Sequence, residues 1–280
     1  MVLAKLAKRA KRFLISWFEN PNKALLFVAN VAYCFHRLLF RFYRGRIFEA
    51  PMSKVTAIIP AAGMGKRMGK AISKQFLTLG DKPMLAHTLL VFQRATEIDE
   101  IIPVLSKEDM EGCLHDVIER YEITKVKTLV VGGKERQDSV LHGLEKIGKD
   151  TTVVLVHDGV RPFVTPDMIS EAVGFAKKGE CIAVGVPVKD TIKEVDANKI
   201  VRRTLERGKL WTIQTPQVFP VKILRRAYEE SSKQKMYGTD DATLVERTGG
   251  TVRVIMGSYE NIKITTPEDL IVAEEILKRR

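Results

Sequence analysis

The sequence predicts an α/β fold in which helices cover both faces of a mostly parallel β-sheet and a β-hairpin arm projects from it. Three features of the chain carry this prediction. Short apolar runs alternate with helical segments of about ten or more residues, an order typical of βαβ units. Threonine-proline pairs mark two helix starts, and a polar, strand-like stretch at about residues 189–215 interrupts the alternation.

The apolar runs define the strands of the sheet. They are rich in β-branched residues, as strands buried on both faces usually are. In chain order the predicted strands are Val55–Pro60, Ile101–Ser106, Lys127–Val131, Thr152–His157, Cys181–Val188, Val252–Met256 and Ile262–Thr265. Ligands of such sheets bind outside the carboxyl ends of the strands, so we expect the chemistry in the loops that follow them.

Helical segments lie between these strands. The predicted helices are Pro83–Arg94, Lys107–Tyr121 and Asp138–Ile147. Thr165-Pro166 and Thr266-Pro267 each open a further helix, because threonine is a favourable N-cap and proline fits the first helical position.

The interrupting stretch reads as a hairpin. Two polar, alternating segments, Lys189–Val195 and Lys199–Leu205, flank the turn signal Asp196-Ala197-Asn198. The hairpin has little to bury within its own subunit, and an isolated hairpin is only marginally stable in water. We therefore expect this arm to pack on a partner chain, the alternative being a solvated hairpin without a partner.

Composition limits the function. The chain has 280 residues, 45% hydrophobic and 29% charged, enough for one large domain or two small ones. Its net charge of +12 would ordinarily favour nucleic-acid binding, but residues 1–51 hold ten of the 46 lysines and arginines and only two of the 34 acidic residues. Because most of the excess charge lies in that segment, we expect no nucleic-acid partner.

Residues 1–51 form a basic N-terminal extension ahead of a main domain at residues 52–280. Leu3, Leu6, Leu14 and Trp17 recur at helical spacing, which predicts an amphipathic helix. No apolar stretch reaches the about 20 residues of a membrane span. Three explanations stay open: the extension lies on an anionic membrane surface, it docks on the main domain, or it is translated upstream sequence before a start at Met52. We favour the last over membrane contact.

Cysteine usage points to a reducing compartment. Cys34, Cys113 and Cys181 are far apart and form no CxxC pair. Neither a disulfide framework nor a zinc site is expected, and a cytoplasmic location fits.

The first predicted strand runs into the glycine-rich segment Pro60–Gly69. Its small residues let the backbone approach a ligand closely, and successive N–H groups can cradle phosphate oxygens. Four cations within nine residues, at positions 66, 67, 70 and 74, favour phosphate binding. Arg67 stands where a Walker A motif needs serine or threonine, and Met68 where a dinucleotide fingerprint needs its third glycine.

Six further motifs follow this segment in order. They are Gly132-Gly133-x-x-Arg136-x-x-Ser139-Val140, Val156-His157-Asp158-x-x-Arg161-Pro162, Pro187-Val188-Lys189-Asp190-Thr191, Arg207-x-x-Leu210-Trp211-x-x-Gln214-Thr215-Pro216-Gln217, Thr239-Asp240-Asp241-Ala242 and Asn261-Ile262-Lys263-Ile264-Thr265. Together with the first segment and Lys74-Gln75-Phe76, they resemble the sugar-phosphate nucleotidyltransferases, and more narrowly the 2-C-methyl-D-erythritol 4-phosphate cytidylyltransferase family. The resemblance covers about residues 54–279.

The resemblance implies a Rossmann-like three-layer α/β/α sandwich and transfer of CMP from CTP to 2-C-methyl-D-erythritol 4-phosphate, with release of pyrophosphate, in non-mevalonate isoprenoid precursor biosynthesis. The attacking phosphate monoester needs no general base, because it is largely dianionic at neutral pH. Two polyanions must meet, which calls for cations, backbone donors and Mg²⁺ or another divalent cation.

The resemblance also implies residue roles. The catalytic residues would be Arg67 and Lys74, which stabilise the transition state at the α-phosphate. The substrate-positioning residues would be Arg207, Lys263, Asp158, Arg161 and Thr191. Mg²⁺ would be carried by the CTP phosphates, with Asp158 as the one candidate protein ligand.

The same resemblance implies where CTP binds. The residues concerned are Pro60, Ala61, Ala62, Gly63, Met64, Gly65, Lys66, Arg67, Lys74, Gly132, Gly133 and Ser139. The family often has aspartate at the position of Lys134, which puts a base contact by that side chain in doubt. In the family the arm crosses a dimer and completes the partner's site, so a homodimer is implied.

Two alternatives stay open. One is a ribitol-5-phosphate cytidylyltransferase, because Asp158-Gly159-Val160-Arg161 does not decide between the two families; the sequence Arg202–Arg207 leading into Trp211 favours methylerythritol phosphate. The other is a non-catalytic, membrane-attached binding protein that uses residues 1–51 as an anchor. The intact pair of Arg67 and Lys74 argues against it.

Overall fold

A seven-stranded β-sheet organises the part of the chain that the structure describes. The structure, a computed structural model, describes residues 54–63 and 73–280; the predicted N-terminal extension and the start at Met52 lie outside these residues. Seven of the strands in the described residues form this sheet, and β2 with β3 and β8 with β9 form two small sheets. In chain order the strands are β1 (Lys54–Pro60), β2 (Thr78–Leu79), β3 (Lys82–Pro83), β4 (Glu100–Leu105), β5 (Val130–Val131), β6 (Thr151–Val156), β7 (Cys181–Pro187), β8 (Lys193–Val195), β9 (Val201–Thr204), β10 (Trp211–Pro220) and β11 (Val252–Met256).

The sheet is mostly parallel, as predicted. Its strand order is β11-β7-β10-β6-β1-β4-β5. Strand β10 runs antiparallel to both β6 and β7, while the other pairs in this sheet are parallel. The chain moves from β1 through β4 to β5 and then returns to β6 on the other side of β1. The order therefore reverses beside β1, where ligands of open α/β sheets bind.

Helices cover both faces of the sheet. They are α1 (Met84–Arg94), α2 (Met110–Cys113, continued by a π-helical stretch Leu114–Glu119), α3 (Arg136–Lys146), α4 (Pro166–Ala176), α5 (Val221–Lys233), α6 (Asp241–Arg247) and α7 (Pro267–Lys278). One apolar cluster joins α1 and α4 to the sheet, and a second joins α3, α5 and α6 to its other face. This confirms the predicted three-layer α/β/α arrangement.

The two clusters explain why the strand sequences are continuously apolar. Ala57 and Ile59 of β1 lie in the first cluster, whereas Ile58 between them lies in the second. Successive side chains of a strand point to opposite faces, so a strand covered on both sides is apolar at most positions. The buried Thr56 of β1 is an exception, and its hydroxyl pairs with that of Thr151 on β6 across 2.9 Å.

The predicted threonine caps form as expected. Thr165 Oγ1 accepts a hydrogen bond from Met168 N–H at the start of α4, and Thr266 Oγ1 accepts one from Asp269 N–H at the start of α7. Each helix has proline in its first turn, where the missing N–H has no helical partner to lose.

The predicted strand at Ile262–Thr265 is wrong. This segment is an extended loop without a ladder of backbone pairing, apart from one bond from Ile264 N–H to Val160 O of 3.0 Å. Its alternating pattern has another cause: Ile264 is buried against Val160 and Phe163, whereas the Lys263 side chain is 38% exposed.

Other boundaries differ more modestly. Helix α2 begins at Met110 rather than Lys107, and β5 is limited to Val130–Val131. The predicted arm is a two-stranded sheet of its own, formed by β8 and β9. Asp196 Oδ1 accepts from the N–H groups of Asn198 and Ile200, which closes the turn. Within the described ranges, no helix is long and apolar enough to cross a membrane.

Candidate active site

A pocket opens at the carboxyl edge of the sheet, beside the reversal of strand order at β1. It is lined by the loops after β1 and β6, the turn after β5, the start of α3 and the loop before α7. The lining residues are Pro60, Ala61, Ala62, Gly63, Lys74, Gln75, Gly133, Lys134, Glu135, Arg136, Ser139, Asp158, Val160 and Lys263. Nine of the residues predicted from the sequence are in this set.

The loop after β1 brings backbone to the floor of the pocket. Ala61 N–H donates to Val104 O across 2.7 Å, which ties the end of β1 to β4. Ala61, Ala62 and Gly63, which are predicted to bind CTP, line the pocket. The predicted ligand contacts of Met64, Gly65 and Lys66 and the catalytic role of Arg67 lie outside the described residues.

Lys74 is held at the pocket by a short 3₁₀ turn, Lys74–Phe76. The next residue, Gln75, is buried, and its Nε2 donates to Asp109 Oδ2 across 2.9 Å. Asp109 follows β4, so this bond fixes the turn that bears Lys74 to the edge of the sheet. The lysine is thus presented at the pocket by a restrained backbone.

The turn after β5 packs tightly against the first loop. A Cβ on Gly132 would lie 2.5 Å from Ala62 Cβ and 2.9 Å from Ser139 Oγ, so only glycine fits there. Ser139 Oγ accepts from Gly133 N–H and donates to Glu135 O, each across 3.1 Å. The serine therefore orders this turn, and a hydrogen bond from its hydroxyl to a base would require it to leave Glu135.

Helix α3 starts at the pocket and is capped by carboxylates. Glu135 at the N-cap and Asp138 at the third helical position form a reciprocal capping box, in which Glu135 N–H donates to Asp138 Oδ2 across 3.0 Å. Lys134 and Glu135 line the pocket with opposite charges. Side chains beyond the two predicted glycines thus also face the ligand space.

Asp158 is the centre of an ion cluster. Its Oδ1 lies 3.1 Å from Arg136 Nε, and its Oδ2 lies 2.9 Å from Lys263 Nζ and 3.5 Å from Arg161 Nε. Burial by itself would raise the pKa of Asp158, but the charges of these three cations outweigh it and hold the pKa well below its usual range. Asp158 is therefore a carboxylate at neutral pH.

Arg136 connects the ion cluster to a second carboxylate in the protein interior. Its NH1 lies 2.8 Å from Oδ2 of the buried Asp241. Burial would lower the pKa of Arg136, but Asp241 and Asp158 raise it above its usual range, so the guanidinium stays charged. Three cations thus share two carboxylates, which leaves one positive charge in excess beside Lys74.

The backbone of Asp158 is fixed from the far side. Its N–H donates to Thr215 Oγ1 across 3.1 Å, and Thr215 Oγ1 lies 3.0 Å from Nδ1 of the fully buried His157. Arg161 NH1 donates to Asn261 O across 2.8 Å, which joins this loop to the segment that bears Lys263. The loops after β6 and before α7 therefore form one connected unit.

Two predicted positioning residues lie away from the pocket of this chain. Thr191 is exposed at the base of the arm, and Arg207 is exposed in a 3₁₀ turn after β9. Arg207 NH1 donates to Lys189 O across 2.8 Å, and the Lys189 ammonium lies 3.5 Å from the centre of the Tyr259 ring. Neither Thr191 nor Arg207 lines the pocket formed by the described residues.

Several site residues were not predicted from the sequence. Gln75, Glu135, Arg136 and Val160 line the pocket, while Thr215 and Asp241 support it from behind. Arg136, Thr215 and Asp241 each lie inside a sequence motif, but only their three-dimensional partners show what they do.

The described residues offer no cage for a metal ion. Within residues 54–63 and 73–280, no group of three or more His, Cys, Asp or Glu side chains is placed to hold one. Asp158, the predicted candidate ligand, is instead engaged by three cations. Chemically, the site can bind polyanions through the lysine and arginine side chains that line it, at positions 74, 134, 136 and 263.

Comparisons with known proteins agree along nearly the whole described chain. The model of the family described as IspD, 2-C-methyl-D-erythritol 4-phosphate cytidylyltransferase, matches residues 55–279. Relatives of that name from Alkaliphilus metalliredigens and Geobacter metallireducens are 50% and 47% identical over 231 and 229 residues. These alignments cover 82% and 81% of this chain and 96% and 98% of the relatives.

Solved structures give the same result. The crystal structure of 4-diphosphocytidyl-2C-methyl-D-erythritol synthase from Anaerococcus prevotii is similar with a TM-score of 0.73 and 35% identity, covering 81% of this chain and 97% of that one. The crystal structure of the Thermus thermophilus cytidylyltransferase is similar with a TM-score of 0.67 and 29% identity, covering 80% and 99%.

Proposed function

Since the chain belongs to the 2-C-methyl-D-erythritol 4-phosphate cytidylyltransferase family, we propose that its pocket transfers CMP from CTP to 2-C-methyl-D-erythritol 4-phosphate and releases pyrophosphate. The reaction is a step of isoprenoid precursor biosynthesis. The observation that carries the proposal is the convergence of Lys74, Lys263 and the close-packed glycine turn on one pocket at the carboxyl edge of the sheet.

The chemistry needs charge stabilisation rather than proton transfer. The acceptor phosphate is largely dianionic at neutral pH, so its oxygen can attack the α-phosphorus of CTP without a general base. The buried His157 fits this view, because burial lowers its pKa to about 4 and its ring nitrogens are engaged by Thr215 and Arg161 O. The bond from phosphorus to the bridging oxygen breaks as the new bond forms, and charge moves onto pyrophosphate.

The CTP side of the site is the pair of close-packed loops. The segment Pro60–Gly63 and Gly133 line the pocket where the nucleotide would lie, and Ser139 keeps the glycine turn in place. Lys74 would stabilise the charge that develops around the α-phosphate, a preorganised cation in a restrained turn being effective there. Arg67 would act with it.

The acceptor side is the ion cluster around Asp158. Lys263 faces the pocket as a point charge that can meet the attacking phosphate, and Arg161 stands beside it. Asp158 orients both cations and could accept hydrogen bonds from acceptor hydroxyls. The positive excess of the cluster favours a dianionic substrate.

The arm supports a homodimer. The strands β8 and β9 and the turn between them are exposed on this chain, and Val195, Ile200 and Val201 are each about half exposed. Thr191 and Arg207 at the base of the arm lie outside the chain's own pocket. Packing of the arm on a second copy would bury these apolar groups and would bring Thr191 and Arg207 to the partner's acceptor site.

Mg²⁺ or another divalent cation would enter with the substrate, bound to the CTP phosphates. Asp158 is paired with Arg136, Lys263 and Arg161, which argues against its use as a metal ligand while these ion pairs hold. Mg²⁺ usually keeps several waters and binds substrate phosphates, so a cation carried by the nucleotide needs few protein ligands. A cytoplasmic location fits the free, buried Cys113 and Cys181.

The test is pyrophosphate release from CTP and Mg²⁺ by the full chain, with 2-C-methyl-D-erythritol 4-phosphate beside ribitol 5-phosphate. Fast release with the first acceptor alone is expected. The relatives named above do not favour the ribitol alternative. Pyrophosphate release with ribitol 5-phosphate alone would reject methylerythritol phosphate as the acceptor. If folded protein releases no pyrophosphate with either acceptor, the proposed activity is rejected, and the non-catalytic, membrane-attached role becomes the better explanation.

A further inference from the structure

A charge network extends from the pocket to the buried start of α6. Its pivot is Arg136, whose guanidinium lies 3.1 Å from Asp158 Oδ1 through Nε and 2.8 Å from Asp241 Oδ2 through NH1. The planar fork of arginine suits two separate carboxylates at once. Arg136 thus connects a pocket residue to a residue that does not line the pocket.

Asp241 is itself fixed. It is the first residue of α6, with 1% of its surface exposed, and Tyr228 Oη donates to its Oδ1 across 2.5 Å. Tyr228 lies on α5, which packs with α6 in the second apolar cluster. The inner end of the network therefore rests on two packed helices rather than on a loop.

At the pocket end of the network, the two carboxylate oxygens of Asp158 have different partners. Arg136 engages Oδ1, which leaves Oδ2 to meet Lys263 and Arg161. Without Asp241, the guanidinium would keep Asp158 as its remaining carboxylate partner and would compete with Lys263 and Arg161 for it. The orientation of Lys263 therefore depends on Asp241, although these two residues do not touch.

We propose that Asp241 and Tyr228 are positioning residues of the acceptor phosphate site, because they anchor Arg136 and, through Asp158, set the place of Lys263. The inference rests on the proposed acceptor role of Lys263. It gives a function to the motif Thr239-Asp240-Asp241-Ala242, which lies outside the pocket. Its signature is a defect that is larger for the acceptor than for CTP.

The experiment is steady-state kinetics of full-length Asp241→Asn with CTP and methylerythritol 4-phosphate varied in turn. Asparagine keeps the size and the acceptor for Tyr228 but removes the charge. We expect the KM for the acceptor to rise about tenfold or more, the scale of losing a charge-assisted contact, and the KM for CTP to rise less than about threefold. Glu246→Gln, an exposed charge loss on the same helix, is the matched control and should leave both values unchanged.

A double-mutant cycle separates positioning from general loss of stability. If Asp241 acts through Lys263, Asp241→Asn should have little further effect on the acceptor KM in a Lys263→Ala background. A residue that merely stabilises the fold would lower the unfolding temperature and the amount of active enzyme, and would affect both backgrounds equally. Equal effects in both backgrounds, or a folded Asp241→Asn with an acceptor KM within twofold of wild type, overturn the proposal.

Tyr228→Phe decides the matter if Asp241→Asn does not fold. It removes only the hydroxyl that fixes Asp241, so we expect a smaller rise of about threefold in the acceptor KM, beside Tyr237→Phe at an exposed tyrosine as control. An unchanged acceptor KM in Tyr228→Phe, in that case, rejects the proposal. Wild-type protein without CMP transfer would instead reject the proposed function, so the two failures are distinguishable.

Discussion

Thr215 donates its hydroxyl proton to Nδ1 of His157, across 3.0 Å in the buried interior of the sheet. The direction of this bond follows from the other ring nitrogen, because Arg161 O can only accept and Nε2 must therefore donate to it. Nδ1 is then an acceptor, and the proton of the neutral ring lies on Nε2, which donates to Arg161 O across 3.0 Å. The structure of the Asp158–Arg161 turn therefore depends on a neutral His157.

We expect the free energy of unfolding to fall as the pH drops from about 6.5 towards 4. Burial lowers the pKa of His157 from its ordinary value of 6.5 to about 4, so in this window the unfolded chain binds a proton that the native protein excludes. The full difference corresponds to about 3 kcal/mol and grows no further below the native value. Urea unfolding at a series of pH values measures it.

His157→Gln is the control for this pH dependence. Glutamine cannot take up a proton, but it offers an N–H donor towards Arg161 O. The variant should be less stable at pH 8, because it loses the ring packed against Phe92, yet its stability should change little between pH 6.5 and 4. Asp158 stays ionised throughout this window, since its pKa is held well below its usual range. A slope identical to that of wild type would contradict the assignment to His157.

Gly132→Ala should weaken CTP binding. The added Cβ would meet Ala62 Cβ at 2.5 Å and would force the two nucleotide loops apart. Overpacking of this kind costs about 1–3 kcal/mol, so we expect the KM for CTP to rise by about tenfold. Gly174→Ala is the matched control, because nothing lies within 4 Å of its added Cβ and the position is inside α4. That variant should be slightly more stable than wild type and fully active; equal CTP affinity in both variants would contradict the role of Gly132.

The fold was predictable from the sequence where the residues of an element serve one purpose, such as burial in the core or capping of a helix. The strands that are buried on both faces are mostly apolar, and the threonine-proline pairs open α4 and α7. Strand β10 was not predicted, because Gln214, Thr215 and Pro216 interrupt its apolar pattern. Gln214 and Thr215 serve the site instead, through Ser258 O and Asp158 N–H. Polar function inside a strand hides the strand from pattern-based prediction.

The site was predictable only in part, for a related reason. Lys74, Asp158 and Lys263 lie in loops after or beside predicted strands, and the structure brings them to one pocket. Asp241 could not be placed from the sequence, because its effect depends on Arg136, which is 105 positions earlier in the chain. The sequence motif shows only that an aspartate occurs at position 241. Its partner, Arg136, is determined by the packing of α3, α5 and α6.

Lys74→Ala should lower kcat by about a hundredfold to a thousandfold while CTP still binds, since a preorganised cation acts mainly on the transition state. The 3₁₀ turn should persist, because Gln75 still bonds to Asp109. Single-turnover kinetics measures the rate of CMP transfer, and calorimetry measures the affinity for CTP. Lys107→Ala, at an exposed lysine in the loop before α2, is the control and should behave as wild type. Near-normal turnover in Lys74→Ala would remove the lysine from the catalytic machinery.

Arg207 and Lys74 provide a test of whether the arm completes the site of a second copy. Arg207 is exposed at the base of the arm and does not line the pocket that contains Lys74. If the arm crosses to a partner, each site takes Lys74 from one chain and Arg207 from the other. If the arm stays with its own chain, each site takes both residues from the same chain.

We expect Arg207→Ala and Lys74→Ala proteins, each nearly inactive alone, to regain activity when unfolded together and refolded as a mixture. In a heterodimer one site then has both mutated residues and the other has neither. Since random pairing makes half of the dimers heterodimers, about one quarter of the wild-type activity per chain should return. Arg203→Ala, which breaks only the exposed pair with Glu194 on the arm, should be active without mixing. Verified heterodimers without recovered activity would show that Arg207 does not serve the partner's site, because only the crossed arrangement restores an intact one.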